Sequence, residues 1–214
     1  MIIDYQNVHL VGLNLFEPYK APHECLVHPL HFANQLVIRR NGNQRPGMAD
    51  AVLSKVLVYR GLPSAEVDAK PYARNLAQKA EWESDPRVAV THRPLKYTYQ
   101  RTADGRKATD VYGRPIVTGK QEKGIDVLCA LALVREAQND AIDLVILASQ
   151  DTDLEPALDA ALDLGTAKVE TASWFDAANY RASKEIRPAR PRRIWNTRLT
   201  ATSFWTSYDQ KNYD

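Results

Sequence analysis

Two carboxylates, Asp151 and Asp153, close an apolar run in the segment Leu144-Val-Ile-Leu-Ala-Ser-Gln-Asp-Thr-Asp-Leu-Glu-Pro. Such a run reads as a buried strand, and an acid at its carboxyl end faces the crevice in which open α/β sheets bind ligands. Asp4 stands in the same relation to Met1-Ile2-Ile3, and Asp126 opens an apolar helix signal. Carboxylates gathered from three distant segments suit one chemistry. Mg²⁺ and Mn²⁺ are hard ions that prefer carboxylate and water oxygens. Held beside a phosphodiester, such an ion polarises a phosphoryl oxygen and makes a water more acidic. Asp4, Asp126 and Asp151 are therefore the candidate ligands, directly or through water. Asp153 is either a further ligand or the cap of a helix beginning at Leu154. Asn7 either orients water or phosphate or is a turn residue. Glu122 shares a face with Asp126 if the helix starts early enough, and is otherwise a solvated charge. Lys120 and Lys123 flank the same helix start, where an anion is favoured.

The elements that must carry these residues alternate. Strands are expected at Met1–Asp4, Ala51–Arg60, Arg87–Thr91, Ile142–Ala148 and Ala167–Thr171, from short apolar or β-branched runs ended by turn residues. Helices are expected at His28–Asn41, Val67–Ser84, Gly124–Asn139 and Asp153–Leu164, the third apolar nearly all round and hence buried on several sides. This order demands a mostly parallel sheet covered on both faces, because parallel strands need crossover helices. A strand order of 3-2-1-4-5 sets Asp4 and Asp151 side by side at the switch point.

Residues 92–120 interrupt the alternation as an expected β-hairpin, with short runs at Leu95–Tyr99 and Val111–Val117 and a turn near Asp104-Gly105. Its Arg93, Lys96, Arg101, Arg106, Lys107 and Arg114 are interleaved with Tyr97, Tyr99 and Tyr112. Cations for phosphates and rings for stacking are the components of single-strand binding, although a solvated hairpin packed on the body would look the same. A second basic stretch, Lys184–Arg198, carries six cations against Glu185 alone and is broken by Pro188 and Pro191, so it is extended. Leu199–Ser207 follows as a strand or docking segment. Residues 1–183 thus read as one domain and 184–214 as a basic, aromatic tail that serves RNA, the body or another subunit.

Net charge of +2 on 214 residues points to no partner by itself. His9, His23, His28 and His31 lack a ligand pattern, and Cys25 and Cys129 lack metal or redox spacing; Cys129 reads as a buried thiol. No apolar stretch approaches a membrane span and no basic-then-apolar leader opens the chain, so a cytoplasmic location is expected.

The segments Ile2-Ile-Asp-Tyr-Gln-Asn-Val8, Lys123-Gly-Ile-Asp-Val127 and Leu147-Ala-Ser-Gln-Asp-Thr-Asp-Leu154 together resemble the NYN family of PIN-like nucleases over roughly residues 1–175. The resemblance implies a three-layer PIN-like α/β sandwich and Mg²⁺- or Mn²⁺-dependent cleavage of RNA. It implies that Asp4, Asp126, Asp151 and Asp153 are the acidic residues of the site and Asn7 its asparagine. Gln150 stands where that family usually has glycine, which would set a bulky amide beside the ion, and Leu154 where it often has an aromatic. The expectation is a metal-dependent endoribonuclease. A non-catalytic RNA-binding module with a degenerate site is the alternative, and a protein-interaction scaffold using the aromatic tail is a third reading.

Overall fold

Ile2 and Ile3 point to opposite faces of the first strand, and each is buried in a different apolar cluster. That alternation is the plan of the whole molecule. The structure, a computed structural model, describes residues 1–213; Asp214, the last residue of the expected tail, lies outside the described residues. In chain order the elements are β1 (Ile2–Asp4), α1 (Tyr5–Phe16), α2 (Pro29–Gly42), β2 (Val56–Leu62), α3 (Ala69–Trp82), β3 (Val88–Pro94), β4 (Lys96–Tyr99) and β5 (Val117–Gln121). There follow α4 (Ile125–Ala137), β6 (Leu144–Ala148), a 3-10 turn (Thr152–Leu154), α5 (Glu155–Leu164), β7 (Lys168–Asp176), β8 (Arg181–Ala182), β9 (Trp195–Leu199) and α6 (Ala201–Thr206).

The central sheet runs β3-β2-β1-β6-β7, all parallel, then continues past β7 with antiparallel β8 and parallel β9. It departs from the expected five-strand order by that extension. One face, built on Ile3, Val58, Val90, Ile146 and Ala172, receives Phe32 and Leu36 of α2, Trp82 of α3 and Phe204 of α6. The other, built on Ile2, Val145, Leu147 and Val169, receives α4 and α5 through Cys129, Leu133, Leu158 and Ala161. Helices on both faces of a parallel sheet make three layers, the arrangement that crossover connections impose.

Several expectations need correction. α1 went unread, because Tyr5-Gln-Asn-Val-His-Leu-Val-Gly-Leu-Asn-Leu-Phe16 follows β1 without a linker and Asp4 makes no side-chain cap bond. The hairpin exists, but its second strand is Val117–Gln121, not Val111–Val117. Between its strands the chain makes a small lobe with two turns, Thr102–Arg106 and Asp110–Arg114, closed by bridges Arg101–Lys107 and Thr109–Pro115. Helix α4 is not buried on several sides: Val127 is 54% and Leu131 63% exposed, since it packs on β1, β2, β6 and α5 and nothing covers its remaining face among the described residues. The stretch from 184 onward joins the body. Trp195–Leu199 pairs with Glu170–Trp174, and the following segment, expected as a strand or docking segment, is the helix α6 with Phe204 fully buried. Among the described residues, no helix is long and apolar enough to cross a membrane.

Glu170 of β7 is fully buried, and its charge is met by Arg40 of α2 at 3.2 Å and by Lys168 at 2.6 Å. Burying a charged group is costly unless it is paired and hydrogen-bonded, and Arg40 also donates to both Glu170 oxygens. This pair ties α2 to β7, the strand on which the tail docks.

Candidate functional site

β1 and β6 are neighbours, with Ile3 opposite Ala148, so both chains leave the sheet at the same point. Asp4 leaves from one and Ser149-Gln150-Asp151 from the other. The Ser149 hydroxyl donates to Asp4 Oδ2 at 2.9 Å, and the Asp151 N–H donates to Ser149 Oγ at 3.1 Å. Asn7 stands in the first turn of α1, and its Oδ1 accepts the Gln150 N–H at 2.8 Å. Asn7 is thus the brace that holds the β6 loop against α1. Ser149 links the two acids, a role its place in the quoted motif did not reveal.

Burial of Asp4 pushes its carboxyl from 3.8 up to about 7; the Ser149 hydroxyl opposes the rise, and the neighbouring carboxylates Glu122 and Asp151 add to it. Asp126 lies in the first turn of α4, where the helix dipole favours an anion. Cys129 sits one turn further along α4. Its thiol is raised by burial first, and then by Asp4, Asp126, Glu122 and Asp151 together. All four carboxylates act electrostatically on the Cys129 thiol, and Glu122 and Asp151 act on Asp4 as well.

Glu122 belongs to this group although it precedes the helix. The chain reaches α4 through Gly124, whose φ of 74° is open to glycine and strained for other residues. Glu122 turns inward there, accepts the Gly61 N–H through Oε1, and is raised by burial against the lowering pull of that bond and of Arg60. The solvated-charge reading of Glu122 is overturned by this bond. Gly61 is required by closeness: a Cβ there would collide first with Leu95 Cδ2, and would stand 2.6 Å from Glu122 Oε1 and 2.8 Å from its Cγ. Gly61→Ala is expected to displace Leu95 and Glu122 and cost about 1–3 kcal/mol through overpacking. An unchanged urea midpoint in Gly61→Ala would show that Leu95 and Glu122 are not packed against Gly61.

Asp153 stands apart in exposure. It is exposed, and its backbone N–H donates to Asp151 Oδ1 at 3.0 Å. The cap of the turn at Thr152–Leu154 is therefore Asp151, not Asp153. Gln150 is no obstacle to the crevice. It is buried in the opposite layer against Phe32, Trp174 and Leu199, where its Oε1 has no partner among the described residues. Leu154 is buried among α4 and α5 side chains, an ordinary core position.

No family model matches the chain, and neither a curated protein nor a solved structure does. The site is therefore read from its own geometry.

The basic residues divide into two sets. Arg93 lies against Gly124, its Nε 3.1 Å from where a Cβ would be, and Lys123 precedes that glycine in the chain. Lys120 pairs with Asp68 at 3.3 Å. Lys96, Arg101, Arg106, Lys107 and Arg114 stand on the exposed hairpin and its lobe, away from the acids along the chain. Of the three hairpin tyrosines, Tyr97 is tied to the body through Asp68 and Ser64, and Tyr99 is covered by Lys107 at 3.8 Å. Tyr112, 81% exposed, keeps most of its ring in solvent, with the Arg114 guanidinium 5.9 Å from its centre. The basic stretch of the tail lines a separate groove of about 770 Å³, with Arg187, Arg192, Arg193 and Arg198 beside Arg39 of α2.

The donor chemistry fits a divalent cation in one respect. Asp4, Asp126, Asp151 and Glu122 present oxygen donors that repel one another, and a hard cation would relieve that repulsion. Among the described residues, however, no three His, Cys, Asp or Glu side chains are drawn up close enough to hold an ion directly. An ion that keeps several of its waters, as Mg²⁺ does, tolerates that spread.

Proposed function

We propose that the chain is a metal-dependent endoribonuclease with its centre at Asp4, Asp126 and Asp151. What supports this reading is that Asp4 and Asp151 leave adjoining parallel strands and are joined through the Ser149 hydroxyl. A bound Mg²⁺ or Mn²⁺ would supply charge to a phosphoryl oxygen and acidify a water for in-line attack. Asp4, Asp126, Asp151 and Glu122 would hold it, and Asp153 is left outside. Ser149 and Asn7 keep the β1 and β6 ends in register, which makes them positioning residues. Arg93 and Lys123 would counter the negative field at the mouth of the crevice, where an RNA backbone would otherwise be repelled. The hairpin and lobe would carry the strand further.

A non-catalytic RNA-binding module is the second reading, favoured by the spread of the four carboxylates. One assay separates the two. Mixed-sequence single-stranded RNA is expected to be cut in Mn²⁺ or Mg²⁺ and to remain whole in chelator. RNA that is bound but left intact at saturating Mn²⁺ would sink the enzymatic reading and leave the binding one.

A further inference from the structure

Beyond β7, along β9, lies the groove of about 770 Å³ that the tail lines. Residues two apart on a strand share a face, so Thr171 and Phe175 of β7 form one floor with Asn196 and Arg198 of β9. That floor is polar and fixed. Thr171 Oγ1 donates to Asn196 Oδ1 at 3.1 Å, and Asn196 Nδ2 donates to Ser173 Oγ at 2.7 Å. Helix α5 packs on β7, and the extended chain before β9 lines the groove beyond it. Ile186 and Ile194 pin this chain to the apolar core, while Pro188 and Pro191 keep it from coiling between them. Its arginines are left exposed.

Charge decides what the groove takes. Arg39 of α2 and Arg187, Arg192, Arg193 and Arg198 line it, against Glu185 as the one carboxylate of the lining. The whole chain carries a net charge of only +2, so its positive charge is concentrated here. Ion pairing leaves the excess in place. Arg187 and Arg198 share Glu185, and Arg192 shares Asp163 with Arg190. Arg39 and Arg193 are exposed and meet no carboxylate among the described residues. Gathered like charges repel, and a polyanion in the groove would relieve that repulsion. The cations of the lining are all arginine, whose planar fork grips a phosphate through two parallel bonds.

The groove also lies within reach of a strand that occupies the acidic crevice. Ala148 of β6 is level with Ala172 of β7, and Ala172 with Thr197 of β9. Two strand spacings, about 10 Å, therefore separate the end of β6 from Thr197. Arg198 follows Thr197 as Ser149 follows Ala148. It also shares a face with the acids: Asp4 alternates with Ile2, and Ser173, the partner of Arg198, alternates with Val169 of the same apolar cluster. That placement favours a nucleic-acid backbone over an acidic peptide or lipid headgroups, which the same arginines would accept.

We propose that this groove is a second RNA-binding site, which holds the phosphate backbone outside the acidic crevice and needs no metal to do so. This deepens the ribonuclease reading and rests on it for the choice of RNA. In chelator, fluorescence anisotropy with a labelled mixed-sequence single-stranded RNA is expected to show binding that weakens as salt rises. Arg39→Gln/Arg193→Gln should bind about tenfold more weakly and flatten the slope of log affinity against log salt by about 1.4, the loss of two phosphate contacts on a single strand. Neither arginine is paired with an acid, so the variant should keep the parent's thermal midpoint. Lys20→Gln/Lys211→Gln removes the same charge from ion pairs elsewhere and should bind nearly as the parent does.

Unchanged affinity in the groove variant, an equal loss in both variants, or tighter binding of polyglutamate or phosphatidylglycerol vesicles than of RNA would each overturn the proposal. The wild-type chain gives a check that needs no variant. RNA should shield Arg39 and Arg193 from the arginine reagent phenylglyoxal, and equal modification with and without RNA would overturn the proposal even where the variant misfolds. Cleavage in Mn²⁺ with RNA binding indifferent to the groove would sink the groove alone. Groove-dependent binding of RNA that stays whole in Mn²⁺ would sink the nuclease reading alone.

Discussion

Asp151→Asn is expected to lower metal-dependent RNA cleavage by about 10³-fold while leaving the thermal midpoint nearly where it was. The two halves of this expectation have separate physical origins. Asp151 Oδ1 accepts the Asp153 N–H and so caps the turn that leads into α5. Asparagine caps as well as aspartate does, so the turn survives the exchange. What is lost is one negative charge in the crevice, and removal of a single electrostatic partner from an active site typically costs ~10²–10³ in rate. Rate and melting temperature measured on the same preparations decide it. Wild-type rates in Asp151→Asn would remove Asp151 from the site, and a large loss of midpoint would show that the cap, not the charge, accounts for the defect.

Asp4→Asn is expected to be more stable than the parent chain above neutral pH in metal-free buffer, and about equally stable at low pH. The carboxyl of Asp4 titrates at about 7 in the folded chain, against an ordinary value of 3.8. Because the folded value is raised, the folded chain holds the proton more tightly than the unfolded one. Stability from this group is fully present below pH 3.8 and is lost as pH rises through 7, where the charge must be carried in a buried place. A displacement that wide corresponds to at most ~4 kcal/mol, at about 1.4 kcal/mol for each pH unit between the two values. The amide of the Asp4→Asn variant carries no charge and escapes the loss. Urea melts on the acid and alkaline sides of this window test the idea; a variant less stable than wild type on the alkaline side would show that Asp4 is ionised at little cost. Under the nuclease reading Mn²⁺ should recover part of the wild-type loss on that side and do little for Asp4→Asn.

These two acids were legible for one reason. Both are strand-end carboxylates, and a parallel sheet with a switch point at β1 and β6 brings them together by topology alone. Asp126 was legible for a related reason, since an acid in the first turn of an apolar helix is conspicuous. Glu122 was not, because its inward turn depends on the left-handed Gly124 and on an N–H of Gly61 that lies 61 residues earlier in the chain. Asp153 looked as good as Asp151 by spacing. One residue of 3-10 turn separates the half-buried acid that caps the turn from the exposed one.

Hydrophobic alternation and turn residues, which are local, sufficed by themselves for the parallel α/β layering and for the ends of β1 and β6, where Asp4 and Asp151 emerge. Only the tertiary structure decided that Gln150 packs away from the acids, that Tyr97 and Tyr99 are occupied, and that the tail adds β9 to the sheet. Each of those outcomes is a competition between distant partners: an amide between two layers, a tyrosine between a base and Asp68, a basic segment between solvent and the open edge of β7. Local sequence carries no term for the distant partner. The opening pair of acids accordingly resolves into Asp151, which caps a turn and is joined to Asp4 through Ser149, and Asp153, which is exposed.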